Sequence, residues 1–155
     1  MHETFLRRAI ELAADNANEG GGGPFGAVVV RDGAVIAEGA NHVITAHDPT
    51  AHAEVVAIRE ACRRLESHEL RGCVIYASCE PCPMCLAAIY WARLDALYYA
   101  ASRHDAAEAG FDDSFLYEQI PLAEGERALP SRRLLASESG RPFAIWRASV
   151  TKIPY

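Results

Sequence analysis

Phe5, Leu6, Ala9, Ile10, Leu12 and Ala13 recur at the three- and four-residue spacing of one helical face, which predicts an amphipathic helix over 3–18. Gly20 to Gly23 and Pro24 end that pattern. Two short runs rich in β-formers, 25–31 and 34–39, flank Asp32-Gly33, a dipeptide suited to a two-residue hairpin turn. A polar loop through Asp48 and Pro49 follows, and helical spacing returns over 51–66. The unbroken apolar run 73–78 suits a strand buried on both faces, 83–92 a helix, and 94–101 a further buried strand. A loop with Gly110-Phe111-Asp112-Asp113 leads into a short helix over 114–120. Residues 131–137 are expected to form a last strand and 142–152 a last helix, before Ile153-Pro154-Tyr155.

This order predicts an α/β fold, a three-layer α/β/α sandwich around a mixed five-stranded sheet. The opening hairpin is antiparallel, and the later strands, joined by helical crossovers, are expected to run parallel. At 155 residues, with no internal repeat, the chain is expected to be one domain over 1–155. The glycine run lacks a following Gly-Lys-Ser/Thr and precedes a strand, so it does not read as a phosphate loop. It reads instead as a linker that lets backbone pass close to something near Phe25.

Charge changes the picture of partners. A net charge of −6 argues against a surface built to grip a phosphate backbone. The basic pairs at Arg7 and Arg8, Arg63 and Arg64, and Arg132 and Arg133 read as solvated faces. Charges are spread through the first turns, and no apolar run approaches the ~18 residues of a membrane span. The expectation is a cytoplasmic protein with neither a nucleic-acid nor a membrane partner.

Five cysteines, two of them in Cys82-Pro83-Met84-Cys85, favour metal ligation or redox work over a disulfide framework. Cys82 and Cys85 are three apart at a helix start, where both sulfurs project from one face and the helix N-terminus favours thiolate. Pro81 and Pro83 fit a first helical turn. His52 adds an imidazole, and Glu54, two residues on, adds a carboxylate that need not be a ligand. Three zinc ligands with a spare acid describe a catalytic site, which keeps one position open for water. The structural rival recruits Cys79 as a fourth ligand and closes the tetrahedron, leaving Glu54 without a purpose. His-x-Glu followed by Pro-Cys-x-x-Cys is also the recorded signature of zinc deaminases acting on nucleobases. His42, His47 and Asp48 read as loop residues and not as a second metal site. Cys62 and Cys73 read as ordinary buried thiols, and Glu80 as either an orienting group behind the metal or a helix-start acid.

The chain resembles the cytidine deaminase-like superfamily, in the branch that holds tRNA adenosine deaminases and bacterial guanine deaminases. The resemblance rests on Gly23-Pro24-Phe25-Gly26-Ala27-Val28, Asp48-Pro49-Thr50-Ala51-His52-Ala53-Glu54, Ser78-Cys79-Glu80-Pro81-Cys82-Pro83-Met84-Cys85, Ala109-Gly110-Phe111-Asp112-Asp113 and the ending Pro154-Tyr155. It implies one zinc per subunit, held by His52, Cys82 and Cys85. It further implies hydrolytic deamination of guanine to xanthine and ammonia, as in purine catabolism, with Glu54 relaying protons and Asp113 assisting at the departing amine. By resemblance Asn41 reads the base, Phe25 stacks on it, and the backbone of Ala53 contributes a polar contact, with Trp91 as a candidate aromatic wall. Tyr155 would close the site from a C-terminal segment, 150–155, swapped between the subunits of a homodimer. Without the resemblance, Asp113 also reads as a helix cap, Asn41 as a turn former, Trp91 as a core or interface residue and Tyr155 as a frayed end. Guanosine, related triazine amines and adenosine in tRNA are the alternative substrates, and a structural zinc module is the non-enzymatic alternative.

Overall fold

Four strands form one mixed sheet in the order β2-β1-β3-β4: β1 (Gly26–Arg31), β2 (Ala34–Ala40), β3 (Cys73–Cys79) and β4 (Ala96–Ala101). β1 pairs antiparallel with both β2 and β3, and β3 pairs parallel with β4. The β1–β2 turn uses the predicted dipeptide, with Asp32 and Gly33 at φ of 51° and 77°. This computed structural model describes all 155 residues, which fall into two units, Met1–Phe115 and Leu116–Tyr155.

The alternation of a strand sorts the core of the first unit into two layers. Val28 and Val30 of β1 face Ala9 of α1 (His2–Asn18) together with Tyr76, and Phe5, Leu6 and Leu12 pack around them. Ala27 and Val29 face the other way, into a cluster with Ala53, Ala57 and Ile58 of α2 (Ala53–Leu65) and Ile89 of α3 (Pro83–Trp91). The three layers are therefore α1, the sheet, and α2 with α3, as the sequence predicts. The outer side of α2 is ionic, with the Glu60 carboxylate accepting bonds from Arg63 and Arg64. Such exposed pairs contribute little to stability.

Two expectations about strands need correction. The sheet has four strands and not five, because 131–137 forms none. The backbone bonds of that stretch are local: Glu138 and Ser139 both donate to Leu135 O, and Leu135 sits at φ 53° in a turn. A strand exists only against a hydrogen-bonded neighbour, and this segment has none. β4 is also not buried on both faces. It pairs only with β3 and forms a sheet edge, with Tyr98 and Tyr99 exposed. Tyr98 stacks on Tyr76 at 5.4 Å, and His2 lies 4.3 Å from the Tyr98 ring.

A short helix that periodicity missed, α4 (Arg103–Glu108), follows β4. Ser102 and Asp105 form a reciprocal capping box at its start, a signal present in the sequence as Ser-x-x-Asp. α5 (Ser114–Gln119) lies near the predicted bounds. The second unit contains the end of α5, a 3₁₀ turn at Glu124–Glu126 and α6 (Arg141–Ala148), and none of its residues is buried. No helix of the protein is long and apolar enough to cross a membrane.

α2 lies on β2 at a point where no side chain fits. A Cβ on Gly39 would stand 2.3 Å from Ala53 O and 2.6 Å from Ala57 N, both backbone atoms. Gly39→Ala is therefore expected to lower unfolding free energy by at least about 2 kcal/mol, as overpacking against backbone does. Denaturant titration of the two proteins gives the comparison; equal midpoints and slopes would contradict this seating of α2.

Candidate metal centre and its surroundings

His52 is the N-cap of α2 and Cys82 the N-cap of α3, with Cys85 in the first turn of α3. Each helix thus begins at a ligand, as the sequence predicts. The loop carrying His52 is held from within. Asp48 accepts bonds from the Thr50 N–H and hydroxyl at 2.8 and 2.6 Å, and Arg59 reaches its other oxygen at 3.3 Å. The Thr50 bonds hold the Asp48 carboxyl below its usual range. His42 N bonds Ala51 O at 2.9 Å, tying the end of β2 to the residue before His52. His42 and His47 are exposed loop residues.

The ligand atoms of His52, Cys82 and Cys85 lie within 4.8 Å of one another. His52 Nδ1 stands 3.6 Å from Cys82 Sγ and 3.5 Å from Cys85 Sγ. Zinc bonds of about 2.0–2.1 Å to nitrogen and about 2.3 Å to sulfur place tetrahedral N and S ligands roughly 3.5 Å apart. The donor set fits that ion in both geometry and softness. The Cys82 thiol is held down at about 4, chiefly by the hydrogen bond from Cys85 and then by His52. Cys85, the donor of that bond and buried, is pushed up.

Cys79 lies outside the cluster. Its Sγ donates to Ser102 O at 3.5 Å, and burial pushes its thiol up to about 11. The closed rival of three cysteines and one histidine therefore lacks its fourth ligand. Glu54, in the first turn of α2, is buried, and its carboxyl is raised above the usual range by burial, with a side-chain bond to Cys85. Glu80 is occupied elsewhere, since its Oε2 accepts from Arg103 N at 3.1 Å and so serves the start of α4.

Asp113 is half-buried, and its carboxyl is raised first by burial and then by the charge of Cys82. The capping role is taken by its neighbour: Asp112 Oδ1 accepts from Ser114 N at 2.9 Å. Phe25 is half-buried and meets Phe111 edge to face at 5.0 Å and 86°. Ala53 is fully buried at the first position of α2, where a backbone N–H has no helical acceptor.

Asn41 is buried, with Oδ1 accepting from Val43 N at 3.2 Å and Gly23 N at 3.4 Å. Its acceptor is therefore used locally, and its Nδ2 bonds no protein group. The structure does not bring Trp91 to the cluster. It ends α3, the opposite end from Cys82, is exposed, and has Arg93 over its ring at 5.6 Å. Tyr155 is exposed in the second unit. Two residues near these groups escaped sequence reasoning as individuals. Phe111 packs on Phe25, and Asn16 shares the buried face of α1 with Ala9 and Ala13. An asparagine at i+7 and i+3 from two buried alanines was the available signal.

Residues 1–101 match the model of the cytidine and deoxycytidylate deaminase zinc-binding region. The chain is 57% identical over 154 residues to guanine deaminase of Bacillus subtilis (strain 168), covering 99% of each chain. The X-ray structure of guanine deaminase from Bacillus subtilis superposes with a TM-score of 0.98 at 57% identity, over 100% of this chain and 99% of that one. A tRNA-specific adenosine deaminase of Aquifex aeolicus (strain VF5) is 43% identical over 137 residues, 82% of this chain and 90% of the relative. A solved guanine deaminase from Nitrosomonas europaea has a TM-score of 0.68 at 33% identity, over 79% of this chain and 68% of that one.

About one zinc per chain is expected in purified protein. Elemental analysis should find that Cys79→Ser keeps this content and Cys82→Ser loses most of it; equal loss in both would return Cys79 to the ligand set.

Proposed function

The chain belongs to the cytidine and deoxycytidylate deaminase zinc-binding family, and from that premise we propose that it hydrolyses guanine to xanthine and ammonia. The observation that carries the substrate is identity to a guanine deaminase running the length of both chains. The chemistry is supported by a three-ligand cluster beside a buried carboxyl. Zinc held by His52, Cys82 and Cys85 supplies a Lewis acid that lowers the pKa of water toward neutrality.

Glu54 moves the protons. Its carboxylate accepts one from the attacking water and delivers it to a ring nitrogen of the purine, which makes C2 electrophilic. As the water oxygen bonds C2, Glu54 takes the proton left on that oxygen and passes it to the 2-amino group, so the C2–N bond breaks and ammonia leaves. A carboxyl whose affinity for protons is raised by burial suits both halves of this exchange. Asp113, half-buried and near Cys82, receives the departing amine. The N–H of Ala53 and Nδ2 of Asn41 donate to the base, and Phe25, braced by Phe111, stacks on it.

We further propose a homodimer in which residues 150–155 pass to the partner. The second unit holds no buried residue, although Phe143, Ile145, Trp146, Val150 and Ile153 are all large and apolar. A mostly apolar groove of about 420 Å³ opens on the first unit among Ile10, Ala14, Phe25, Ala101, Ala106 and Phe111. Tyr90 and Trp91 add an exposed aromatic surface at the end of α3, which supports an assembly face there. Apolar surface of this extent is covered in an assembly far more often than left in water.

Purified protein incubated with guanine, guanosine, adenine, cytosine and tRNA should release ammonia from guanine. Release only from adenosine in tRNA would overturn the substrate assignment. Glu54→Gln is expected to keep zinc and lose roughly 10²–10⁴-fold in turnover, read as xanthine formation beside elemental analysis. Normal turnover in that variant removes Glu54 from the chemistry. Deleting residues 153–155 should raise KM for guanine by about 10-fold. Unchanged kinetics would take Tyr155 out of the site.

A further inference from the structure

Asn16 is the one polar residue on the buried face of α1. Its side-chain amide lies where two backbone carbonyls converge: Nδ2 donates to Gly23 O and to Asn41 O, each at 2.9 Å. Two carbonyl oxygens facing one point repel unless a donor stands between them, and an amide NH₂ carries one proton for each. Aspartate carries none and serine carries one.

The two loops joined this way are in contact at the backbone. A Cβ on Gly22, whose φ of 159° is close to extended, would stand 2.3 Å from Asn41 O, and one on Gly21 would stand 2.5 Å from Asn16 Oδ1. Asn41 closes the same loop from its own side, with Oδ1 taking the Gly23 and Val43 N–H groups and its N–H bonding Phe25 O at 3.1 Å. With its oxygen fixed, Asn41 has one orientation in which Nδ2 can donate. The next residue, His42, is bonded to Ala51 and so tethers this loop beside the His52 ligand.

We propose that Asn16 is a positioning residue for purine recognition, which touches no substrate and acts by locking Asn41 in the orientation that presents Nδ2 to the base. The proposal rests on the reading in which Asn41 binds a purine. It also gives Gly21 and Gly22 a purpose, because a side chain at either would collide with Asn16 or with Asn41 O.

Asn16→Leu keeps the volume and removes both donors, and Asn16→Ser, which keeps one, serves if the first does not fold. The leucine variant is expected to raise KM for guanine about 10-fold, with kcat within about 3-fold and zinc content unchanged. In an Asn41→Ala background the same substitution should change KM less than about 2-fold, since coupled residues are not additive. Equal KM effects in the two backgrounds, or a loss confined to kcat, would overturn the proposal. Hydrogen exchange supplies a readout that needs no turnover: the Gly23 and Val43 amides should lose protection while those of β1 keep theirs. Unchanged protection there would sink the positioning role whatever the substrate. Should the unaltered protein release no ammonia from guanine, the functional reading fails, and exchange alone decides the role of Asn16.

Discussion

The chemistry of the first unit depends on two helix N-termini pointing at one place. Each carries unsatisfied N–H groups and a partial positive charge, so bringing α2 and α3 together at His52 and Cys82 builds a site hostile to a cation. Two thiolates reverse the sign. This is why the donors from α3 are cysteines, and why a single neutral imidazole suffices from α2. The hydrogen bond from Cys85 holds the Cys82 thiol low, and burial together with that bond pushes Cys85 up. Glu54 then experiences burial and the adjacent anion together, and both raise its carboxyl.

The run from Ser78 to Cys85 shows how little sequence distance determines reactivity. Cys79 and Cys82 are three residues apart, yet one thiol lies near 11 and the other near 4. Cys79 still belongs to β3 and donates to the Ser102 carbonyl, while Cys82 caps a helix and accepts from a neighbouring thiol and imidazole. Crossing from strand to helix across Glu80 and Pro81 separates an inert side chain from a ligand.

Elements carried by local pattern were legible from sequence, and those requiring a distant partner were not. The α1 periodicity, the Asp32-Gly33 turn and the ligand spacing are local, and each stands where the residues place it. The stretch 131–137 has strand-like composition, but a strand is a relation between two segments, and composition cannot supply the second. β4 reads as buried because it is apolar; its position at the sheet edge follows from strand order, which no single segment encodes. At the site, the metal ligands followed from spacing, whereas the assignment of the helix cap to Asp112 and not Asp113 needed coordinates. Asn16 was hidden for a related reason: its meaning lies in two carbonyls that sequence separates by eighteen residues.

The contact between Gly39 and Ala53 has a consequence for redesign. Because backbone rests on backbone, the position of the first turn of α2, and with it Glu54, is inherited from the sheet. The Glu60 and Arg63 surface, which meets neither the sheet nor the ligands, is where charge, attachment or fusion can be recoded. The segment around Asn41, by contrast, is held by the side chains of Asn16 and Asn41 as well as by main chain, and tolerates less change.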